Sequence, residues 1–354
     1  MLGLDRRAAR AAWSVFLVLL ALGIVYVIRK TLILFVLALL LAHLLSPIVD
    51  FIAGHTPKVI SRKVALAIVY VVLLAILVSA SVTIGSKVLD EAANLASKVP
   101  YWIQVQSAPT TMPIPAWLDP IRHEVLEWLR DQTANLGSTV VPFLRKAGLD
   151  ILSGIGSAAT FILIPILSFF FLKDGQAMRE NIVSFFDAYG KGELVEDIFA
   201  DIHVMLTQYI RALVLLAAAT FCFYSLFLQV TGGSYALLLA GVAALLEVIP
   251  VIGPLAAAVI LLIVTGLSGY AHLVWLLIFL ALYRVFQDYV LSPYLMGAGV
   301  ELHPLLVLFG VLAGEQIGGI PGMFFSVPVL AVLRLVFVRI TKERERRRIT
   351  PQNI

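Results

Sequence analysis

The sequence predicts an all-α, polytopic transmembrane protein with about eight or more membrane segments, on three observations. Hydrophobic residues make up 61% of the 354 positions and charged residues only 14%. Soluble domains run at about 45–50% apolar and about 25% charged, so a soluble fold could not bury this much apolar surface. Several separate stretches approach the roughly 20 apolar residues needed to cross hydrocarbon. Finally, the runs are continuous, as in "WSVFLVLLALGIVYVI" and "FILIPILSFFFL", whereas a membrane barrel would show short segments of alternating polarity.

Taken in order, the first element is an apolar run from Trp13 to Ile28 preceded by Arg6, Arg7 and Arg10. It resembles a signal peptide, but no small-residue cleavage site follows and a second run begins directly after Arg29 and Lys30. A retained first helix is therefore expected, with spans at about 12–28 and 31–48 forming a tight hairpin. His55, Lys58, Arg62 and Lys63 then mark a cytoplasmic stretch, because basic residues stay inside. A third span, about 64–84, leads into a polar region at 86–150 holding Pro100, Pro109, Pro113, Pro115 and Pro120 with Trp102, Trp117 and Trp128. Its charges nearly balance, which predicts a helical insertion on the extracytoplasmic side. The fourth span, about 151–172, contains Pro165 and ends at "LKDG".

A cytoplasmic amphipathic helix is expected over about 176–210. Leu194, Ile198, Ile202, Met205 and Tyr209 recur every three or four positions, opposite Glu193, Glu196, Asp197 and Asp201. It runs into a fifth span, about 211–230. Beyond it the apolar segments become short and are broken by Pro and Gly. One pair, at 235–249 and 255–267, flanks "IPVIGP"; another, at 304–317 and 322–339, flanks "GGIPG". Each pair is expected to be a re-entrant hairpin or a thin, tilted crossing, around a long span at about 270–291. The domain reading is thus N-terminal helices 1–85, insertion 86–150, transport core 151–340 and a basic cytoplasmic tail 341–354. Both termini then fall on the cytoplasmic side of a cell inner membrane.

The net charge of +4 sits beside the apolar spans and in the tail "KERERRR", so it signals topology rather than nucleic-acid binding. Cys222 is the only cysteine, which excludes an intrachain disulfide and a cysteine metal cluster; it is expected to pack. Histidines 43, 203, 272 and 303 lack metal-ligand spacing. His123-Glu124 lacks the second histidine of a zinc-protease helix, Ser157 and Ser234 lack the flanks of a nucleophile elbow, and no Walker loop is present. No cofactor, metal or catalytic residue is expected, and the chain does not read as an enzyme.

Ionisable groups within hydrocarbon are the informative residues, since a charge at the bilayer centre costs about 2.5–3.5 kcal/mol on insertion scales. Glu247 is the foremost. It ends "GVAALLEVIPVIGP", where Pro250, Gly253 and Pro254 break the helix, and a carboxylate beside freed backbone groups can bind a cation or a proton. Capping of an interfacial helix end is the plainer reading of the same residue. Arg284 and Asp288 lie four apart on one face and can pair, with Gln287 beside them. Glu315 and Gln316, within the last hairpin, are further lining candidates. Gly310, Gly314, Gly318 and Gly322 recur every fourth residue, a pattern for close helix packing, with Gly318, Gly319 and Pro321 as the hinge.

"PILSFFFLKDG" (165–175), "QYIRA" (208–212), "GGSYALLLAGVAALLEVIPVIGP" (232–254), "VLSPYLMG" (290–297) and "LHPLLVLFGVLAGEQIGGIPGMFFSVP" (302–328) together resemble the signature blocks of the autoinducer-2 exporter family, also described as permeases. The likeness spans nearly the whole chain. It implies a helical exporter of the quorum signal autoinducer-2, or a sodium(lithium)/proton antiporter as described for some similar proteins. The matching positions are Glu247, Pro250, Gly253, Pro254, Pro293, Gly318 and Pro328.

Residues and resemblance together lead to a transporter of a small polar solute or monovalent cation, embedded in lipid, driven by an ion gradient or passive. The glycine faces suit a homo-oligomer. A non-transporting membrane scaffold and a membrane-embedded hydrolase are the other classes, separated by whether Glu247→Gln changes flux and whether an active-site probe labels a serine or Cys222.

Overall fold

The computed structural model describes residues 6–55, 62–104, 158–296 and 302–349, and every element among them is helical. Long apolar runs give α1 (Arg6–Val27), α2 (Arg29–His55), which carries Pro47 within it, and α3 (Arg62–Ala80). A π-helical turn, Ser81–Gly85, joins α3 to α4 (Ser86–Gln104). The insertion's remainder, with Trp117, Trp128 and five of its prolines, lies outside the described residues. The next helix, α5 (Ala158–Asp187), carries Pro165 within it. A turn at 188–191, with Gly190 at φ 65°, separates it from α6 (Gly192–Val230). Residues 176–187 therefore continue α5, and the amphipathic stretch and the fifth span are one helix, α6.

At about 1.5 Å per residue α6 is about 58 Å long, nearly twice the hydrocarbon thickness of about 30 Å. It serves as the spine. Its first half packs Leu206, Tyr209, Ile210 and Leu213 against Leu40 of α2 and Phe325 and Val327 of the last helix. Its second half packs Tyr224 and Leu228 into the largest core cluster. A third cluster joins α2, α3 and α5 through Leu45, Val49, Leu66, Tyr70 and Leu172, and Tyr70 donates to Ser168 at 2.6 Å.

Among the described residues, five helical stretches are long and apolar enough to cross a membrane: Thr31–Gly54, Lys63–Lys98, Gly192–Val230, Leu273–Leu295 and Pro304–Glu345. Large apolar side chains such as Leu226, Leu245, Leu282 and Phe337 are exposed, the outward surface expected of a protein solvated by lipid. Cys222 belongs to that exposed surface of α6 instead of packing inside as the sequence suggested; a thiol is apolar enough to face lipid.

Two short helices, α7 (Ala236–Leu246) and α8 (Ile252–Leu267), follow α6. The chain reverses between them at Val251 (φ 67°, ψ −57°). Gly253 sits against the Leu246 carbonyl, where a Cβ would collide. After α9 (Leu273–Phe286) comes a second π-helical turn, Gln287–Leu291, and then α10 (Ser292–Met296), which includes Pro293. The last helical stretch, α11 (Pro304–Ile349), leaves helical geometry at Gly319 (φ 62°, ψ −143°). Gly314 lies against Gly322 backbone to backbone, and Gly310 against Leu330 and Ser326. Contacts symmetric about 318 mean that α11 folds back on itself.

Candidate functional site

Glu247 follows the last residue of α7 at the tip of the α7–α8 hairpin. Pro250 cannot donate, so the helix cannot continue and the carboxylate is left where the backbone turns. Its Oε1 accepts from Gln287 Nε2 at 2.5 Å, and its Oε2 accepts from Thr220 Oγ1 at 3.3 Å. Thr220 also meets the Tyr283 hydroxyl at 3.0 Å. Because the threonine has one hydrogen and directs it at Glu247, Tyr283 is the donor in that contact. The chain Tyr283, Thr220, Glu247 thus has one direction, and three helices hold one carboxylate.

The holding groups are dry: Thr220 is 1% exposed and Gln287 2%. Hydrogen bonds to a charged group contribute about 1.5–3 kcal/mol each, and both direct donors to the carboxylate are neutral side chains. Gln287 opens the π-helical turn, and such turns recur at functional sites. One step along, Arg284 Nε pairs with Asp288 Oδ2 at 2.8 Å, both about 44% exposed.

Glu247 faces a cavity of about 740 Å³ bounded by four parts of the chain. From α6 come Asp201, Gln208 and Tyr209; from the hairpin tip Glu247, Pro250 and Pro254; from the α9–α10 segment Arg284, Gln287, Asp288 and Ser292. The last hairpin contributes Val307, Val327, Ala331 and Arg334. Glu315 and Gln316 are exposed and lie outside this lining, as do Gly318, Gly319 and Pro321. The last hairpin therefore presents its arms to the cavity, away from its glycine turn.

Beyond the lining, Arg339 of α11 binds Asp201 Oδ2 through Nε at 2.6 Å and Asp197 Oδ2 through Nη1 at 3.2 Å. His43 of α2 and His203 of α6 lie with ring centroids 5.0 Å apart and planes tilted by 46°. Among the described residues no group of three or more His, Cys, Asp or Glu is placed to hold a metal.

Sequence reasoning missed Thr220 and Tyr283, and read Asp201 only as part of a polar helix face. A lone hydroxyl within "LAAATFCF" was the available signal for Thr220. Only the antiparallel pairing of α6 and α7 brings it to a residue 27 positions later.

The fold and site define a helical membrane protein with a largely apolar cavity that ends at a carboxylate on a broken hairpin and carries a few charged and amide groups. The family model described as AI-2E family transporter matches residues 15–342, and the chain belongs to that family. It is 25% identical to the "Putative transport protein YueF" of Bacillus subtilis, over 88% of this chain and 86% of that one. Identity is 24% to the "Putative transport protein YrrI" of the same organism, with 90% and 89% covered. To the "Putative permease PerM" of Escherichia coli K12 it is 28%, with 78% of each chain covered.

Proposed function

We propose that the protein exports a small polar solute such as autoinducer-2 across the cell inner membrane, through the cavity that ends at Glu247. The carrying observation is the carboxylate itself: an ionisable group at a hairpin tip, held on one side by buried neutral donors and open on the other to the cavity. At about 1.5 Å per residue the eleven residues of α7 place this tip about 16 Å from the root of the hairpin. That is close to half of the roughly 30 Å hydrocarbon.

Glu247 is the proton- or ion-responsive group in this reading. Arg284 with Asp288 is a charge pair able to open, and Gln287 supplies amide contacts to solute hydroxyls. Both termini are assigned to the cytoplasm and the insertion to the opposite side, on the distribution of Arg and Lys. The protein is assigned a homo-oligomeric state on its close-packing glycine faces. Labelled autoinducer-2 efflux from proteoliposomes, wild type against Glu247→Gln, tests the reading. Efflux lost in the variant supports it; equal efflux removes Glu247 from the path. Proton movement on adding sodium or lithium, without solute flux, would favour cation/proton antiport.

A further inference from the structure

The surroundings of Glu247 are lopsided. Toward the start of α6 lies the cavity, whereas toward its end α6, α7, α8 and α9 close on one another with Leu228, Leu239, Leu261 and Leu276 all at 0–1% exposure. Aromatic rings fill the layer next to the carboxylate. Tyr224 contacts Phe279 and Tyr283 at 5.3 and 5.1 Å, and Phe227 stacks on Phe279 at 4.1 Å and 9°. Solute that enters the cavity meets a sealed wall, and a transporter has to open that wall.

At the far edge of this wall, α4 lies along the root of the α7–α8 hairpin. Glu91 Oε2 accepts the Leu238 backbone N–H at 2.8 Å. Asn94 Oδ1 accepts the Tyr235 hydroxyl at 3.4 Å, and Lys98 Nζ lies 5.9 Å from the centre of the Tyr235 ring. Leu95 is 4% exposed within the same core cluster. Positions 91, 94, 95 and 98 form one face of α4.

That face supplies what α7 lacks. The residue preceding α7, Tyr235, makes no side-chain cap, so Glu91 satisfies an amide the helix leaves open and places negative charge at its positive end. An eleven-residue helix is marginal by itself. Its root and tip both hold non-glycine residues at positive φ, Tyr235 at 60° and Val251 at 67°. Backbone of this kind persists only where its surroundings enforce it, and it gathers at switching segments.

We propose that α4 is a latch: its Glu91–Asn94–Lys98 face holds the α7–α8 hairpin against the side opposite the cavity, and solute passes only when that face releases the hairpin root. The proposal rests on the cavity being the solute path.

The test uses full-length protein carrying Cys222→Ser. Asn94→Cys with Tyr235→Cys, bridged by a short bifunctional thiol reagent, is expected to lower labelled autoinducer-2 efflux more than about tenfold and to regain it on reduction. Independently of flux, Glu91→Ala is expected to speed labelling of Ala240→Cys in the sealed wall by an impermeant thiol reagent severalfold. Labelling of Ala212→Cys, at a buried position of α6 outside the wall, should keep its parental rate, which general unfolding would not permit. Ala243→Cys replaces Ala240→Cys should the latter fail to fold. An unchanged labelling rate at the wall, or full efflux in the bridged protein, overturns the latch. If the unbridged parent moves no solute, the transport reading falls, and the labelling alone decides the latch.

Discussion

At the scale of single residues, Glu247 is fixed by two donors from different helices, and each can be removed with little change of shape. Glu247→Gln keeps the volume but not the charge, so at least about a tenfold loss of solute efflux is expected for a group that acts through its ionisation. Unchanged efflux would point instead to a helix cap. Thr220→Val removes a hydroxyl that is 1% exposed and bonded to the carboxylate. Leaving a part-buried carboxyl short of a buried donor costs about 1–3 kcal/mol. A lower unfolding midpoint in detergent should therefore follow for Thr220→Val, and a near-parental one for Thr220→Ser, which keeps the donor. Equal midpoints for the two would show that the 3.3 Å contact contributes little.

At the scale of elements, both hairpins depend on glycines where a methyl group has no room. A Cβ on Gly253 meets the Leu246 carbonyl, and one on Gly314 meets the Gly322 backbone. Backbone cannot swing aside as a side-chain tip can, so Gly253→Ala and Gly314→Ala should each destabilise by about 1–3 kcal/mol, as overpacking does. Gly241→Ala is the control, because that glycine lies within α7 with nothing within 4 Å of its added Cβ. There alanine should be neutral or stabilising, by up to about 1 kcal/mol. Thermal unfolding of the three variants side by side checks the ranking, and a destabilised Gly241→Ala equal to the others would undo the steric account.

At the scale of the whole molecule, α6 links the two halves of the protein and sets the direction of the cavity. Its polar start carries Asp197 and Asp201, and both bind Arg339 near the end of α11. These groups are 37–55% exposed, so each contact contributes only about 0–1 kcal/mol in water. Their shared position nevertheless places the start of α6 and the end of α11 on one side. Basic residues cluster there in "KERERRR", which predicts that side to be cytoplasmic. Fusions of a reporter active only in the cytoplasm should function at the C-terminus and fail when inserted after Gln104. The reverse pattern would invert the topology and the proposed export with it.

The sequence by itself determined the solvent and the helical class and marked where Pro and Gly interrupt the apolar runs, because run length and the backbone chemistry of Pro and Gly are local properties. It also picked out Glu247 and the Arg284–Asp288 pair, since a charge in an apolar run and a spacing of four are visible without a fold. Only the tertiary structure decided that Thr220, Tyr283 and Gln287 converge with Glu247, that Asp201 and Arg334 line its cavity, and that Glu315 and Gln316 do not. Those outcomes rest on how α6, α7, α9 and α11 pack across separations that exceed a hundred residues. No helical periodicity carries information over that distance.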